Sequence, residues 1–240
     1  MLQTILDIIY PVRCPICTEI VIPKGDRICP TCKDKLPYIS EPKCMKCSKP
    51  VEYEEKEYCS DCERKRYHFD KGFGVWSYSK EMKESLSNFK YHSKKEYAQF
   101  YIDELARLYG NQIRKLEPDV IVPIPIHRSK LLDRGYNQAD ILAKGIGRRL
   151  GITVLSDLLI RKKKTVPQKN LSDIERLRNL SEAFQLNDTV MKNYQKQMKR
   201  VLLVDDIYTT GSTIEACTNV LKRNDITQVY FIVLCIGKGY

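Results

Sequence analysis

Four Cys-x-x-Cys pairs, Cys14/Cys17, Cys29/Cys32, Cys44/Cys47 and Cys59/Cys62, begin every 15 residues, with eleven residues between successive pairs. Pairs of this kind on facing turns bring four thiolates to one zinc ion, a soft cation that takes sulfur in tetrahedral sets of four. Eight such thiols make two structural zinc sites. A redox motif would need only one pair. Two groupings fit the spacing: sequential pairing, which makes two successive ribbons, and a cross-brace of first with third and second with fourth. The spacers are long enough for a hairpin inside each ribbon, which favours the sequential form. Residues 1–67 are thus expected as a short N-terminal helix, with Leu2, Ile5, Leu6 and Ile9 on one face, followed by a double zinc ribbon. A module of this size needs its metal to fold. The remaining two cysteines, Cys217 and Cys235, lie on apolar faces and are expected to be small core residues.

A second stretch, RVLLVDDIYTTGST at residues 200–213, sets the character of residues 68–240. The run 201–204 is apolar throughout, as in a parallel strand buried on both faces. Asp205 and Asp206 follow it, then Thr209, Thr210, Gly211, Ser212 and Thr213. After these, Ile214, Cys217, Val220 and Leu221 recur at helical spacing. A strand, a small polar turn and a helix start make an anion site, because free N–H groups and the helix dipole face outward there. The Walker lysine is missing, and the acids come before the turn, unlike those of a dinucleotide fold. Paired carboxylates just ahead of a phosphate cradle suit a sugar phosphate whose hydroxyls or magnesium must be held. The competing expectation is an ordinary turn capped by the hydroxyl of Ser212 or Thr213.

Elsewhere, buried strands alternate with amphipathic helices. Strands are expected at 72–78, 119–125, within 154–160, at 184–186 and at 229–236. Helices are expected at 80–89, over a span ending near 115, and at 137–150. Residues 64–70 are expected to be a polar connector, 127–138 a basic loop, 161–183 a polar mobile segment and 191–199 a polar approach to the central strand. This alternation implies an α/β fold with a parallel sheet and ligands beyond the strand carboxyl ends. No apolar run approaches the roughly 18 residues of a membrane span. With no basic leader before the first apolar patch, a reducing, cytoplasmic setting is expected. The net charge is +11, and residues 128–200 hold 17 Lys/Arg against 7 Asp/Glu. Such an excess would attract a polyanion, but on charge alone a solvated surface with scattered lysines is the favoured expectation; Lys162, Lys163 and Lys164, with Tyr136 and Tyr194, are the candidates to meet phosphates and bases if a nucleic-acid role is implied on other grounds.

Taken in order, the cysteine pairs, FKYH at 89–92, VPIPIHRSKLLDRGYNQA at 122–139 and VDDIYTTGST at 204–213 resemble the ComF family of late-competence proteins, which includes the GntX-like proteins. The resemblance covers nearly the whole chain. It implies a double zinc ribbon joined to a type I phosphoribosyltransferase-like domain that binds phosphoribosyl pyrophosphate (PRPP) with Mg2+. It also implies a role with incoming single-stranded DNA in natural transformation, beside a helicase-like translocase and other uptake proteins. Under it, Asp205 and Asp206 match the acids that hold the ribose, and residues 209–213 the 5′-phosphate turn. Lys90 stands where a cation could meet pyrophosphate, or is a solvent-facing helix lysine. Arg134, Asn137 and Gln138 would meet pyrophosphate or structure their loop. Arg176 and Arg178 fall where such transferases keep a closing loop. No acceptor is indicated. An active phosphoribosyltransferase and a PRPP-responsive adaptor therefore stand beside the DNA-handling role. The three histidines, His68, His92 and His127, form no recognisable nucleophile–base set.

Overall fold

The computed structural model describes residues 11–162, 183–194 and 198–237. The expected N-terminal helix, and residues 163–182 of the expected polar segment, with Lys163, Lys164, Arg176 and Arg178, lie outside them.

Strand β1 (Lys71–Ser77) is followed by helices α3 (Lys80–Tyr91) and α4 (Tyr97–Leu116) and by β2 (Val120–Pro123). Then come α5 (Arg128–Arg134), α6 (Gln138–Leu150), β3 (Leu159–Arg161), β4 (Phe184–Leu186) and α7 (Asp188–Tyr194). The chain continues through β5 (Arg200–Tyr208), α8 (Ser212–Lys222) and β6 (Gln228–Ile236). Two short helices, α1 (Pro30–Lys33) and α2 (Ser60–Lys65), precede them in the cysteine region.

The main sheet has the order β1-β6-β5-β2, parallel throughout. Its two central strands, β5 and β6, are buried along most of their length, as strands covered on both faces must be. A parallel bridge from Ile121 to Val154 extends the β2 edge. β3 and β4 pair antiparallel in a separate ribbon. Helices α3, α4 and α6 cover one face through Met82, Leu86, Phe89, Phe100, Leu105, Leu142 and Ile146. The other face is closed by α8, the β3–β4 ribbon and α7. Cys217 and Cys235 are fully buried, as expected.

Four segments differ from their expected form. Asp205 and Asp206 stand inside β5, which runs on to Tyr208, so the turn begins only at Thr209. The basic loop contains α5, started by the His127 ring accepting from the Ser129 N–H and stopped by Gly135 at φ +74°. The polar approach to β5 begins inside α7. The connector 64–70 carries Tyr67 and Phe69, at 4% and 0% exposure, into the core.

The two ribbons straddle the β1 edge. Cys14, Val21, Ile28 and Leu36 of the first join the core on the helix-rich face. Cys44, Cys47, Cys59 and Cys62 of the second join the core on the α8 face. Residues 37–39 run between them along the outer edge of β1, where Ile39 N–H donates to Val75 O at 2.9 Å and Ser77 N–H donates to Pro37 O at 2.8 Å. On the helix side, Tyr38 Oη donates to Glu104 at 2.6 Å, and Arg27 pairs with Asp103 at 3.3 Å.

Candidate functional site

The metal centres are built by repetition. In each ribbon the residue after the second cysteine takes a positive φ, 67° at Thr18 and 62° at Ser48, and its N–H returns to the first cysteine's carbonyl at 2.9 Å. Cys29 and Cys59 then cap the short helices that carry Cys32 and Cys62. The sulfurs of Cys14, Cys17, Cys29 and Cys32 lie within 4.8 Å of one another, as do those of Cys44, Cys47, Cys59 and Cys62. Cys17–Cys29 and Cys47–Cys59 contacts of 3.6 Å are close to the separation of about 3.8 Å that a tetrahedral zinc with sulfur ligands sets. Both sets fit zinc, and the grouping is sequential. Metal analysis of the purified chain is expected to return two zinc ions. A return of one would leave one ribbon without a structural ion.

The second site forms where β5 leaves the sheet. Strand alternation turns Asp206 to the face of Leu202 and Val204, toward α3, and Asp205 to the opposite face. Lys90, in the last turn of α3, forms an ion pair with Asp206. Their side chains are only 17% and 13% exposed, so Lys90 is not a solvent-facing lysine. Burial works against its charge, yet Asp206 and then Asp205 hold its pKa above the ordinary lysine value. Burial, followed by the charge of Asp206, pushes Asp205 up to about 8. Its carboxylate also accepts the Asp206 N–H at 2.9 Å.

The turn after β5 opens α8 on a glycine. Gly211 sits at φ +75° as the N-cap of α8, and no side chain caps the helix. The Ser212 hydroxyl instead contacts Thr210 Oγ1 at 3.0 Å. The expected hydroxyl cap from Ser212 or Thr213 does not form, so the first N–H groups of this eleven-residue helix take no side-chain partner.

Two further elements surround the acids. Arg134 lies over the Tyr91 ring at 4.6 Å and donates to Tyr91 Oη at 2.7 Å and to Gln138 Oε1 at 3.0 Å. Asn137 caps α6 by accepting from Ala139 N–H at 3.1 Å and donates to Ile124 O at 3.0 Å. Gln138 is 2% exposed and reaches Lys90 O at 3.4 Å. Of the two roles expected for Asn137 and Gln138, the geometry supplies the structuring one. Lys162 is exposed, and its N–H donates to Ala183 O at 2.9 Å, joining it to the β3–β4 ribbon.

Several neighbours of the site carried no sequence signal. Arg161 on β3 stacks on Phe184 at 5.1 Å. Burial holds it below the usual arginine range, while Asp205 acts in the opposite sense. Lys130 keeps solvent contact, yet desolvation and the charges of Arg134, Arg161 and Lys90 hold it below the usual lysine range. Lys90, Lys130, Arg134 and Arg161 thus share one electrostatic neighbourhood with the two carboxylates. His68 and Glu215 form a contact that sequence separation concealed.

Residues 5–63 match the model of the double zinc ribbon domain, and residues 95–239 match that of the phosphoribosyl transferase domain. Competence protein F of Haemophilus influenzae is 34% identical over 169 residues, which is 67% of this chain and 70% of that one. Competence protein ComFC of Bacillus subtilis is 33% identical over 153 residues, covering 61% of this chain and 56% of that protein. The DNA utilization protein YhgH of Escherichia coli K12 is 36% identical over 118 residues, and the match spans 49% of each chain. Among the described residues no helix is long and apolar enough to cross a membrane. With both family models matched in order along one chain and a competence protein aligned over two thirds of it, the chain belongs to the ComF family, a double zinc ribbon joined to a phosphoribosyltransferase domain.

Proposed function

We propose that this chain is a DNA-uptake factor whose larger domain binds PRPP with Mg2+ and whose basic surface handles single-stranded DNA. The observation that carries the PRPP assignment is the uncapped start of α8, opened by Gly211 at φ +75° and reached directly from the Asp205–Asp206 pair. The 5′-phosphate would sit on the first α8 amides. Asp205 and Asp206 would hold the ribose hydroxyls, and Lys90, released from Asp206, would turn with Arg134 toward the pyrophosphate. Bound Mg2+ would neutralise part of the pyrophosphate charge. The DNA assignment is supported by the names of the relatives, competence protein F, ComFC and DNA utilization protein, and by the basic excess of residues 128–200. Work beside a helicase-like translocase in the cytoplasm belongs to the same proposal.

Calorimetry with PRPP and Mg2+ is the direct test. Binding should strengthen about tenfold between pH 7 and pH 9, because the Asp205 carboxyl, raised to about 8, must ionise to meet a cation-bearing ligand. A chain that takes up no PRPP across that range overturns the assignment. Single-stranded DNA should bind with a steep salt slope that flattens when Lys162, Lys163 and Lys164 are reversed in charge. An unchanged slope would remove that run from the interface.

The same placement of Lys90 and Arg134 favours a second reading, in which an acceptor nucleophile attacks C1 of PRPP, the C1–oxygen bond breaks and pyrophosphate departs. Pyrophosphate release against a panel of bases separates the enzyme from the binder.

A further inference from the structure

We infer that the metal state of the second ribbon sets the shape of the α8 anion turn, with Tyr67 as the positioning residue that connects them. The inference rests on the turn's proposed role and adds what holds it in shape. The connection can be followed bond by bond. Lys46 lies inside the Cys44–Cys47 knuckle, and its ammonium donates to Tyr67 O at 2.5 Å. The carbonyl of Lys46 accepts the Gly72 N–H at 2.7 Å, and the Ser48 hydroxyl donates to Gly72 O at 2.8 Å. The knuckle therefore grips both ends of the segment 67–72.

That segment in turn grips the anion turn. Tyr67 Oη donates to the carbonyl of Thr210, the residue before Gly211. His68 N–H donates to Glu215 Oε2 at 2.9 Å, and its ring meets the other oxygen of the same carboxylate, in the first turn of α8. Beneath the turn the aromatic rings are continuous. Tyr67 stacks on Phe69 at 5.1 Å, Phe69 meets the Phe231 edge at 5.0 Å, and Phe231 stacks on Tyr208 at 4.9 Å. All four thiols of the second set share this core with Ile214 and Cys217 of α8.

The first ribbon provides a contrast. Its bolt, Arg27 to Asp103, and the neighbouring bond from Tyr38 of the strip 37–39 to Glu104 lie on the opposite face and end on α4. The two metal sites repeat one geometry, but only the second stands under the turn. Eight cysteines thus divide into a set that fastens the module and a set that shapes the ligand site.

Three variants of the full chain test this by hydrogen exchange, with zinc content and PRPP affinity measured in parallel. Tyr67→Phe deletes one hydroxyl. The amides of residues 215 and 216, the first of α8 to donate within the helix, should then exchange about fivefold faster, with those of β5 and β6 unchanged, two zinc ions kept and PRPP affinity about fivefold weaker, the usual cost of one hydrogen bond. Cys47→Ser with Cys62→Ser should drop the zinc content to one and loosen the same amides further. Tyr38→Phe deletes the matching hydroxyl on the helix-rich face and should leave the turn as it was. Turn amides that exchange at the wild-type rate in Tyr67→Phe, or that quicken equally in Tyr38→Phe, overturn the inference. The exchange result stands apart from PRPP: a wild-type chain that binds none refutes the proposed ligand, while the turn amides still decide whether Tyr67 holds them.

Discussion

Replacing Asp206 by asparagine is expected to cost about 3 kcal/mol of folding stability as well as PRPP affinity, and the two losses separate on adding a second substitution. The carboxylate of Asp206 and the ammonium of Lys90 are both largely withdrawn from water. Removing one partner of a buried pair leaves the other charge without compensation, which typically costs 3–5 kcal/mol. Lys90→Met should cost a similar amount, since it leaves Asp206 beside Asp205. Combining the two removes both charges at once, so Lys90→Met/Asp206→Asn should recover to within about 1 kcal/mol of the wild type. Urea denaturation of the four chains measures the coupling. Ligand affinity should follow a different order and stay absent in all three variants. If Asp206→Asn alone is as stable as the wild type, the pair is solvated and contributes nothing to the fold.

Gly211→Ala should have the next largest effect, about 2–3 kcal/mol of stability and at least 100-fold in PRPP affinity. At φ +75° any side chain is strained, and a methyl here would lie 2.6 Å from Tyr208 Oη and 3.0 Å from Tyr67 Cζ. Both rings belong to the packed core under the turn and cannot withdraw without disturbing Phe69 and Phe231. Gly151 supplies the comparison. Its φ is +72°, yet an added methyl meets nothing within 4 Å, so Gly151→Ala should carry only the backbone cost of about 1 kcal/mol. Thermal or urea melts of the two variants divide the Gly211 effect into conformation and contact. Equal losses would mean that the rings beneath the turn yield easily.

Local pattern made the ribbons, the order of the elements and the strand, turn and helix at 200–222 legible in the sequence. The 15-residue cysteine period needs no long-range information, and the apolar run at 201–204 followed by acids and small hydroxyls is itself the site's framework. What escaped depends on pairing across distance. Tyr67 and Phe69 sit among Arg64, Lys65, Arg66, His68 and Asp70, so local polarity hid two core aromatics. Arg161 opens a basic run that reads as solvated until β3 meets β4 and lays it over Phe184. Arg134 and Gln138 point to an anion by residue type alone, and only the fold shows Gln138 turned inward to the end of α3. Lys90 is ambiguous on its helix, and its ion pair becomes visible only when β5 brings Asp206 to it.

The strip at 37–39 has an effect on solubility. By bonding to the outer side of β1 it works as a shield, and a parallel sheet left bare there would offer free donors and acceptors to any other chain. Stripping the thiol-bound ions would lift that shield along with the knuckles at either end of it. Demetallated protein should therefore gather into oligomers through exposed β1, and light scattering should rise before helical content falls.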